Sequence, residues 1–164
     1  MTRESTDSSS RSVFSLRREA LDSPSVRDLF AALNAEVKKQ YPDQGDEHFR
    51  LDADEIGAGR GALFVAYLED RPIGCGSIRK LDTETAELKR MYVAGDMRGH
   101  GIGGALMRAL ETEARDLAVR RILIETGDRQ DTALAMYEGA GYRRIPYFGD
   151  YSASSTSICL AKDL

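Results

Sequence analysis

The spacing of apolar residues in the first quarter of the chain predicts a strand followed by an amphipathic helix. Residues 12–17 alternate between polar and apolar side chains, which is typical of a short strand. The segment 22–25 then offers capping residues and a proline, Pro24, suited to a first helical turn. Apolar residues recur at helical spacing from there, namely Val26, Leu29, Phe30, Leu33 and Val37. We expect this helix to end before Tyr41-Pro42.

Three strands with short connections are predicted in the middle of the chain. The strand patterns cover residues 62–68, 73–81 and 85–93, and the turns between them lie at 69–72 and 82–83. Connections this short predict an antiparallel meander.

The third of these strands changes its apolar face part of the way along. Ala86 and Leu88 share one face, whereas Met91 and Val93 share the other. A β-bulge near Lys89-Arg90 would produce this change, and it would leave backbone groups available to a ligand.

The second half of the chain alternates between helix and strand patterns. A glycine-rich turn at 94–104 precedes a helix, an apolar strand follows at 122–124, and two further strands are predicted at 142–145 and 155–160. The helix before the apolar strand has an apolar stripe of Leu106, Leu110, Ala114 and Leu117. The helix after that strand has a stripe of Ala133, Met136, Tyr137 and Ala140. Gly139 and Gly141 flank the end of the second helix, as a C-cap requires.

Composition narrows the class of protein. The chain has 164 residues, 41% apolar and 30% charged, which fits one globular domain over 12–164 after a polar tail at 1–11 that we expect to be disordered. It has neither a long apolar stretch nor a signal segment, so we expect a cytoplasmic protein. A net charge of −4 argues against binding to nucleic acid or membranes. Cys75 and Cys159 lack metal-ligand spacing, so we expect reduced core thiols and no metal.

The glycine-rich turn has the chemistry of a phosphate site. Gly99, Gly101, Gly103 and Gly104 would let a diphosphate approach the free backbone amides at a helix N-terminus, and Arg98 could add a charged contact. The spacing also satisfies G-x-G-x-x-G, which on its own is a dinucleotide-binding fingerprint. The antiparallel meander before the turn and the short remainder of the chain oppose that alternative. No Gly-Lys-Ser/Thr follows, which excludes a P-loop.

The sequence resembles the GNAT superfamily of acyl-CoA N-acyltransferases in two ordered blocks. Arg98-Gly99-His100-Gly101-Ile102-Gly103 is similar to the family's Q/R-x-x-G-x-G/A signature. The run from Ala133 to Tyr142 is similar to its A-x-x-hydrophobic-Tyr-x-x-x-Gly-aromatic block. The matches cover about residues 62 to 145. The resemblance implies an α/β fold with a central mixed sheet of six to seven strands, flanked by about four helices, in which strands 4 and 5 splay apart.

The resemblance also implies acetyl-CoA as co-substrate and assigns residues to it. The backbone of Met91, Tyr92 and Val93 would hold the pantetheine amides. The pyrophosphate would lie on the amides of residues 98–104, that is Arg98, Gly99, His100, Gly101, Ile102, Gly103 and Gly104. Gln130 stands where many relatives have asparagine, and its longer amide could make the same contact.

Two side chains and one backbone group are candidates for the chemistry of acetyl transfer to an amine. Tyr137 could protonate the departing thiolate, the role of this position in the family, although it also fits an apolar helical stripe. Glu87 could be the general base; the alternative is a solvated strand glutamate paired with Lys89 or Arg90. A backbone amide near residues 91–93 could stabilise the carbonyl oxygen.

The acceptor side carries less information. In this architecture the acceptor enters between residues 41–59 and the loop at 146–151, so Tyr147, Phe148 and Tyr151 are expected in its wall. His48 is interpreted as an ordinary loop residue and Cys75 as a packing residue.

Three activities therefore remain open. The leading hypothesis is acetyl transfer to a small-molecule amine such as an amino acid, polyamine or aminated xenobiotic, in a ternary complex. The others are acetylation of a protein lysine or N-terminus, and acyl-CoA binding without turnover, which would need neither Glu87 nor Tyr137. A homodimer is a further expectation, because relatives are often dimers.

Overall fold

A computed structural model describes residues 13–44 and 51–164. The predicted tail at 1–11 and His48 lie outside the described residues. Within them, the chain forms seven strands and three α-helices: β1 (Ser15–Arg18), α1 (Pro24–Gln40), β2 (Gly61–Leu68), β3 (Arg71–Lys80), β4 (Thr85–Val93), α2 (Ile102–Asp116), β5 (Arg121–Gly127), α3 (Asp131–Gly139), β6 (Arg143–Ile145) and β7 (Ser157–Asp163). Short 3-10 helices lie at Ala53–Ile56, Gly95–Met97 and Gly149–Ala153.

The strands form one mixed sheet in the order β1-β2-β3-β4-β5-β7-β6. Neighbouring strands from β1 to β4 are antiparallel, as the short turns predict. β4 and β5 are parallel, while β7 pairs antiparallel with both β5 and β6. The mixed sheet implied by the resemblance is thus confirmed, with three α-helices in the described residues where about four helices were expected.

Helix α1 begins and ends where its sequence predicts. Ser23 caps it, because its Oγ accepts a hydrogen bond from the amide of Val26 at 3.2 Å, and Pro24 occupies the first turn. The helix ends at Tyr41, before Pro42. Its buried residues Val26 and Leu29 pack on one face of the sheet.

The main core lies on the opposite face of the sheet. Leu88 of β4 and Ile124 of β5 contact this core, to which α2 contributes Leu110 and α3 contributes Tyr137. The sheet is therefore covered on both faces. No helix among the residues that the structure describes is long and apolar enough to cross a membrane.

Two features of β4 create an opening in the middle of the sheet. The register with β3 shifts between Cys75 and Ser77, where Arg90 adopts a left-handed φ of 59°, which confirms the predicted bulge. Pairing between β4 and β5 ends at Leu88 and Ile124, so the two strands separate beyond that point. The splay implied by the resemblance is present.

Candidate active site

A cavity of about 540 Å³ lies where β4 and β5 separate, between α1, α2 and α3. Its walls include Met91, Tyr92, Val93, Arg98, Gly99, Gly101, Ile102, Gly103, Gly104, Gln130 and Tyr137. These are the residues that the resemblance assigned to the co-substrate, with one exception. His100 is not part of the wall. Its Nδ1 lies 3.1 Å from the carbonyl oxygen of Met97, within the turn itself.

The turn before α2 requires glycine and exposes backbone amides to the cavity. Gly99 and Gly101 adopt φ values of 83° and 81°, which side-chain-bearing residues rarely do. The sequence pattern placed Gly103 and Gly104 in the turn at 94–104, before the helix. In the structure α2 begins at Ile102, so both glycines lie in its first turn. The amides of a first helical turn have no partner within the helix and form an anion site.

Gly103 serves the packing of this corner. A Cβ atom at this position would lie 2.6 Å from Sδ of Met136, so glycine allows α2 and α3 to approach closely. The cradle of amides, small residues and apolar wall fits the diphosphate and pantetheine of coenzyme A.

Arg98 joins the turn to α1 at the edge of this cavity. Its Nη2 donates to the carboxylate of Glu36 at 2.8 Å, and its Nε donates to the carbonyl of Val93 at 3.0 Å. The guanidinium is therefore held at the cavity wall, where it can also meet a phosphate. Glu36 and Arg129, both in the wall, were not foreseen from sequence, because α1 and the β5–α3 turn are brought there only by the fold.

A second, smaller cavity of about 90 Å³ adjoins the first. The two share residues of three elements and the turn before α3: Leu33, Val37, Met91, Gln130 and Tyr137. Other parts of the small cavity's wall are Lys89, Arg90, Glu125, Thr126, Tyr151, Thr156 and Ser157. This cavity therefore lies beside the large one, where β4 and β5 separate.

Contacts from the end of α1 close one side of the small cavity. The hydroxyl of Tyr41 donates to Asp128 at 3.0 Å and accepts from the amide of Arg129 at 2.6 Å. Gln44 donates to the hydroxyl of Thr156 on the other side. These residues fix the C-terminal end of α1 against the ends of β5 and β7.

Tyr137 lies at the junction of the two cavities. It is buried, at 5% exposure, and its ring packs edge-on against Tyr142 with centroids 6.3 Å apart. Burial, with a further contribution from the charge of Glu125, raises the pKa of the Tyr137 phenol above its usual value. The hydroxyl therefore keeps its proton and can act as a donor.

Glu87 is buried rather than solvated. Its side chain accepts hydrogen bonds from Nε of Arg79 at 3.1 Å, and Nζ of Lys89 lies 3.7 Å away. It is also a hydrogen-bond partner of Tyr151. The alternative of a solvated strand glutamate is thus wrong, although its expected pairing with Lys89 is present at 3.7 Å; Arg79 is the closer cation, at 3.0 Å. Glu87 itself does not line either cavity; Tyr151 and Lys89 lie between it and the smaller one.

The three aromatic residues expected around the acceptor differ in position. Tyr151 lines the small cavity, and Phe148 packs edge-on against it with centroids 5.1 Å apart. Tyr147 is half exposed and is not part of the wall.

The carboxylate that does line the small cavity is Glu125, which sequence reasoning did not select as a site residue. It directly follows the apolar strand run 122–124, but its place beside the last β4–β5 pair comes from the fold and not from a local sequence pattern. Ser157 of β7 donates a hydrogen bond to its carboxylate at 2.8 Å.

The Cys75 side chain is buried beside the bulge in β4. Burial raises the pKa of its thiol to about 12, and its Sγ donates to the carbonyl of Arg90 at 3.3 Å, so the thiol is inert packing. In the ranges 13–44 and 51–164 no three His, Cys, Asp or Glu side chains are grouped to hold a metal ion.

A splayed mixed sheet with an amide-lined cradle and a buried tyrosine defines an acyl-CoA-dependent acyltransferase architecture, and comparison with known proteins agrees. The model of the acetyltransferase (GNAT) family matches residues 26–142. The chain belongs to this family.

Individual relatives resemble the chain over nearly its whole length. An IAA acetyltransferase of Azospirillum brasilense is 31% identical over 151 residues, which are 91% of this chain and 97% of that protein. Among solved structures, an acetyltransferase from Streptococcus agalactiae has a TM-score of 0.76 at 19% identity, covering 92% of this chain and 98% of its own. A GNAT family acetyltransferase from Elizabethkingia anophelis, solved with acetyl-CoA bound, has a TM-score of 0.64 at 23% identity over 92% and 98% of the two chains. These two structures share the fold.

Proposed function

We propose that this protein transfers an acetyl group from acetyl-CoA to the primary amine of a small molecule, directly and in a ternary complex. The observation that supports this most strongly is the arrangement of two adjoining cavities with the Tyr137 side chain at their junction. One cavity has the amides and the length for coenzyme A, and the other is small and polar. The relative named for acetyl transfer supports the choice of acetyl group.

The chain's own residues divide the work of binding. The first-turn amides of α2 and the Arg98 side chain would bind the pyrophosphate of coenzyme A. The backbone of β4 beyond Leu88, which β5 no longer pairs, would bind the pantetheine arm. When bound, acetyl-CoA supplies a thioester as the activated acyl group.

Tyr137 would donate the proton that the thiol needs, and a carboxylate would accept a proton from the amine. The Tyr137 hydroxyl keeps its proton at ordinary pH and would donate it to the sulfur as the thiol departs. An alkylamine is mostly protonated at neutral pH and must lose a proton before it attacks. Glu125 lines the small cavity and is placed to accept that proton, whereas Glu87 would act through Tyr151, which it holds. The geometry therefore favours Glu125 over Glu87 as the base.

The size of the acceptor cavity favours a small molecule over a protein. At about 90 Å³, with the end of α1 bonded to the turn after β5, it has the size for one small head group. The Tyr137 hydroxyl in the cavity junction favours turnover over binding alone.

The experiment is a thiol-release assay with acetyl-CoA and a panel of small amines and basic peptides. We expect release with small amines, little with peptides, and a large loss in Tyr137→Phe without loss of acetyl-CoA affinity. Turnover of peptides alone would replace the small-molecule proposal with protein acetylation. Acetyl-CoA binding without release in any reaction would favour the binding module.

A further inference from the structure

The bulge in β4 places two consecutive cations on one face of the sheet. In a regular strand Lys89 and Arg90 would point to opposite faces. Here Arg90 has a left-handed φ of 59°, and its guanidinium stacks over the Phe30 ring of α1 at 4.3 Å. Lys89 lies on the same side, with its Nζ 3.7 Å from Glu87. Both residues line the small cavity.

A carboxylate lies across the opening from these cations. Leu88 and Ile124 form the last β4–β5 pair, so Lys89 and Glu125 are the first residues beyond it on the two strands. Glu125 also lies near the phenol of Tyr137, whose pKa its charge helps to raise. The small cavity thus has a negative end beside the proton donor and positive side chains from β4.

The charges around the small cavity balance. Behind its wall Arg79 binds both Glu87 and Glu55. With Lys89, Arg90 and Glu125, the group contains three cations and three carboxylates. A zwitterion preserves this balance inside a half-buried site, whereas a polyamine would add uncompensated positive charge.

The volume sets a second limit on the acceptor. A cavity of about 150 Å³ in another protein holds one benzene ring. The small cavity, at about 90 Å³, therefore fits a compact head group, with any longer side chain directed outward.

Given acetyl transfer as proposed above, we infer that the acceptor is a zwitterionic amine of the α-amino-acid type. Glu125 binds its amino group beside Tyr137, and Lys89 binds its carboxylate. The bond that forms joins the amine nitrogen to the acetyl carbon, and the bond that breaks is the carbon–sulfur bond. Glu125 receives one proton from the ammonium group before the amine attacks, and the departing thiolate receives the proton of Tyr137. The second proton that the nitrogen loses, as the amide forms, returns to the Tyr137 phenolate.

The test compares amino acids with the amines that lack their carboxylate, for example alanine with ethylamine, leucine with isoamylamine, and phenylalanine with phenethylamine. We expect wild-type kcat/KM to be higher for the amino acid of at least one pair. In Lys89→Gln, kcat/KM for that amino acid should fall between about tenfold and about a hundredfold, the value of one charged hydrogen bond. The value for the matched amine should fall much less, so that the preference for the amino acid shrinks. Glu125→Gln should lower both.

Lys39→Gln is the matched control, since Lys39 is an exposed lysine of α1 that lines neither cavity. Lys89→Arg keeps the charge and should retain the preference for the amino acid if Lys89→Gln misfolds. Acetyl-CoA affinity and thermal unfolding report on folding of each variant.

Two results would overturn the inference while leaving the proposed function intact: amines without a carboxylate are preferred in every pair, or Lys89→Gln affects both members equally. If no amine releases thiol, the proposed function fails instead. In that case, calorimetric binding of the amino acids to the wild-type protein with coenzyme A tests the amino-acid site independently of turnover. Dissociation constants weaker than about 10 mM throughout would reject it.

Discussion

Arg79 and Glu87 form a buried ion pair between adjacent strands of the sheet. Their side chains meet at 3.0 Å, and Glu87 is only 1% exposed. The same guanidinium binds Glu55 of the 3-10 helix Ala53–Ile56. One cation on β3 therefore joins the middle of the sheet to this 3-10 helix. This geometry indicates that Glu87 holds neighbouring groups in place.

Replacing Glu87 by glutamine separates a structural role from a catalytic one. Breaking a buried pair leaves a charge partly uncompensated, and Arg79 retains Glu55, so we expect Glu87→Gln to lower the free energy of unfolding by about 2 kcal/mol. The loss in kcat should be far smaller than the roughly hundredfold loss that removal of a general base causes. Denaturant unfolding and steady-state kinetics measure the two effects. A hundredfold loss of kcat at unchanged stability would restore Glu87 as the base.

Removing the phenolic hydroxyl of Tyr137 should affect turnover and not binding. Because the proposed role of the hydroxyl is to donate a proton only as the thiol departs, Tyr137→Phe should lower kcat by about a hundredfold and leave the dissociation constant of acetyl-CoA unchanged. Tyr67→Phe is the control, since Tyr67 is a buried tyrosine that packs on the α1 face of the sheet, outside both cavities. Equal kinetics in Tyr137→Phe and wild type would remove Tyr137 from the mechanism.

The raised pKa of Tyr137 also predicts the alkaline behaviour of the enzyme. Burial and the charge of Glu125 keep the phenol protonated above the pH at which an ordinary tyrosine, with a pKa of about 10, is half ionised. The donor is lost only as pH rises through the raised value. Wild-type kcat should therefore show no descending limb from this group up to about pH 10. A limb at about pH 9 that disappears in Tyr137→Phe would contradict the assignment.

The parts of the fold that the sequence predicts are those with a local pattern. Helix α1 carries its cap and its terminating proline within the segment, and β4 was predicted at its observed bounds, Thr85–Val93. The bulge was predicted because apolar residues exchanged faces at Lys89-Arg90. The glycines of the turn were recognisable because left-handed backbone and close approach leave few other residues.

The small cavity could not be predicted in the same way. Gln44, Glu125 and Thr156 come from three distant segments, which meet because β7 pairs with β5 and α1 crosses their ends. The surroundings of Glu87 depend on tertiary structure as well. Its strand alternation is compatible with a solvated face, but α1 and the segment after it cover that face. Arg79 became its partner through the β3–β4 register.

Two glycines with nearly the same backbone provide a matched test of coenzyme A binding. Gly101 and Gly59 have φ values of 81° and 78°, and a Cβ atom added at either one would meet no other atom within 4 Å. Aspartate at either position should lower the free energy of unfolding by about 1 kcal/mol through backbone strain. Only Gly101→Asp places a carboxylate at the proposed pyrophosphate site, so only this variant should lose affinity for coenzyme A in calorimetry. Retained binding in Gly101→Asp would refute the phosphate site.

The Glu55–Arg79 contact should make stability depend on pH in a defined direction. Burial tends to raise the pKa of Glu55, but hydrogen bonds from the amide of Asp52 and from Arg79 outweigh it and lower the pKa below 4.5. The carboxylate therefore stabilises the fold above about pH 4.5, and this contribution is lost as pH falls through the lowered value. Wild type should exceed Glu55→Gln in free energy of unfolding by about 0.5 to 1 kcal/mol at pH 7, and this difference should shrink as pH falls below about 4.5. Glu84→Gln, at an exposed position, should have almost the same free energy of unfolding as wild type at pH 7. A difference between wild type and Glu55→Gln that stays constant as pH falls below about 4.5 would show that the charge of Glu55 is not what stabilises this corner.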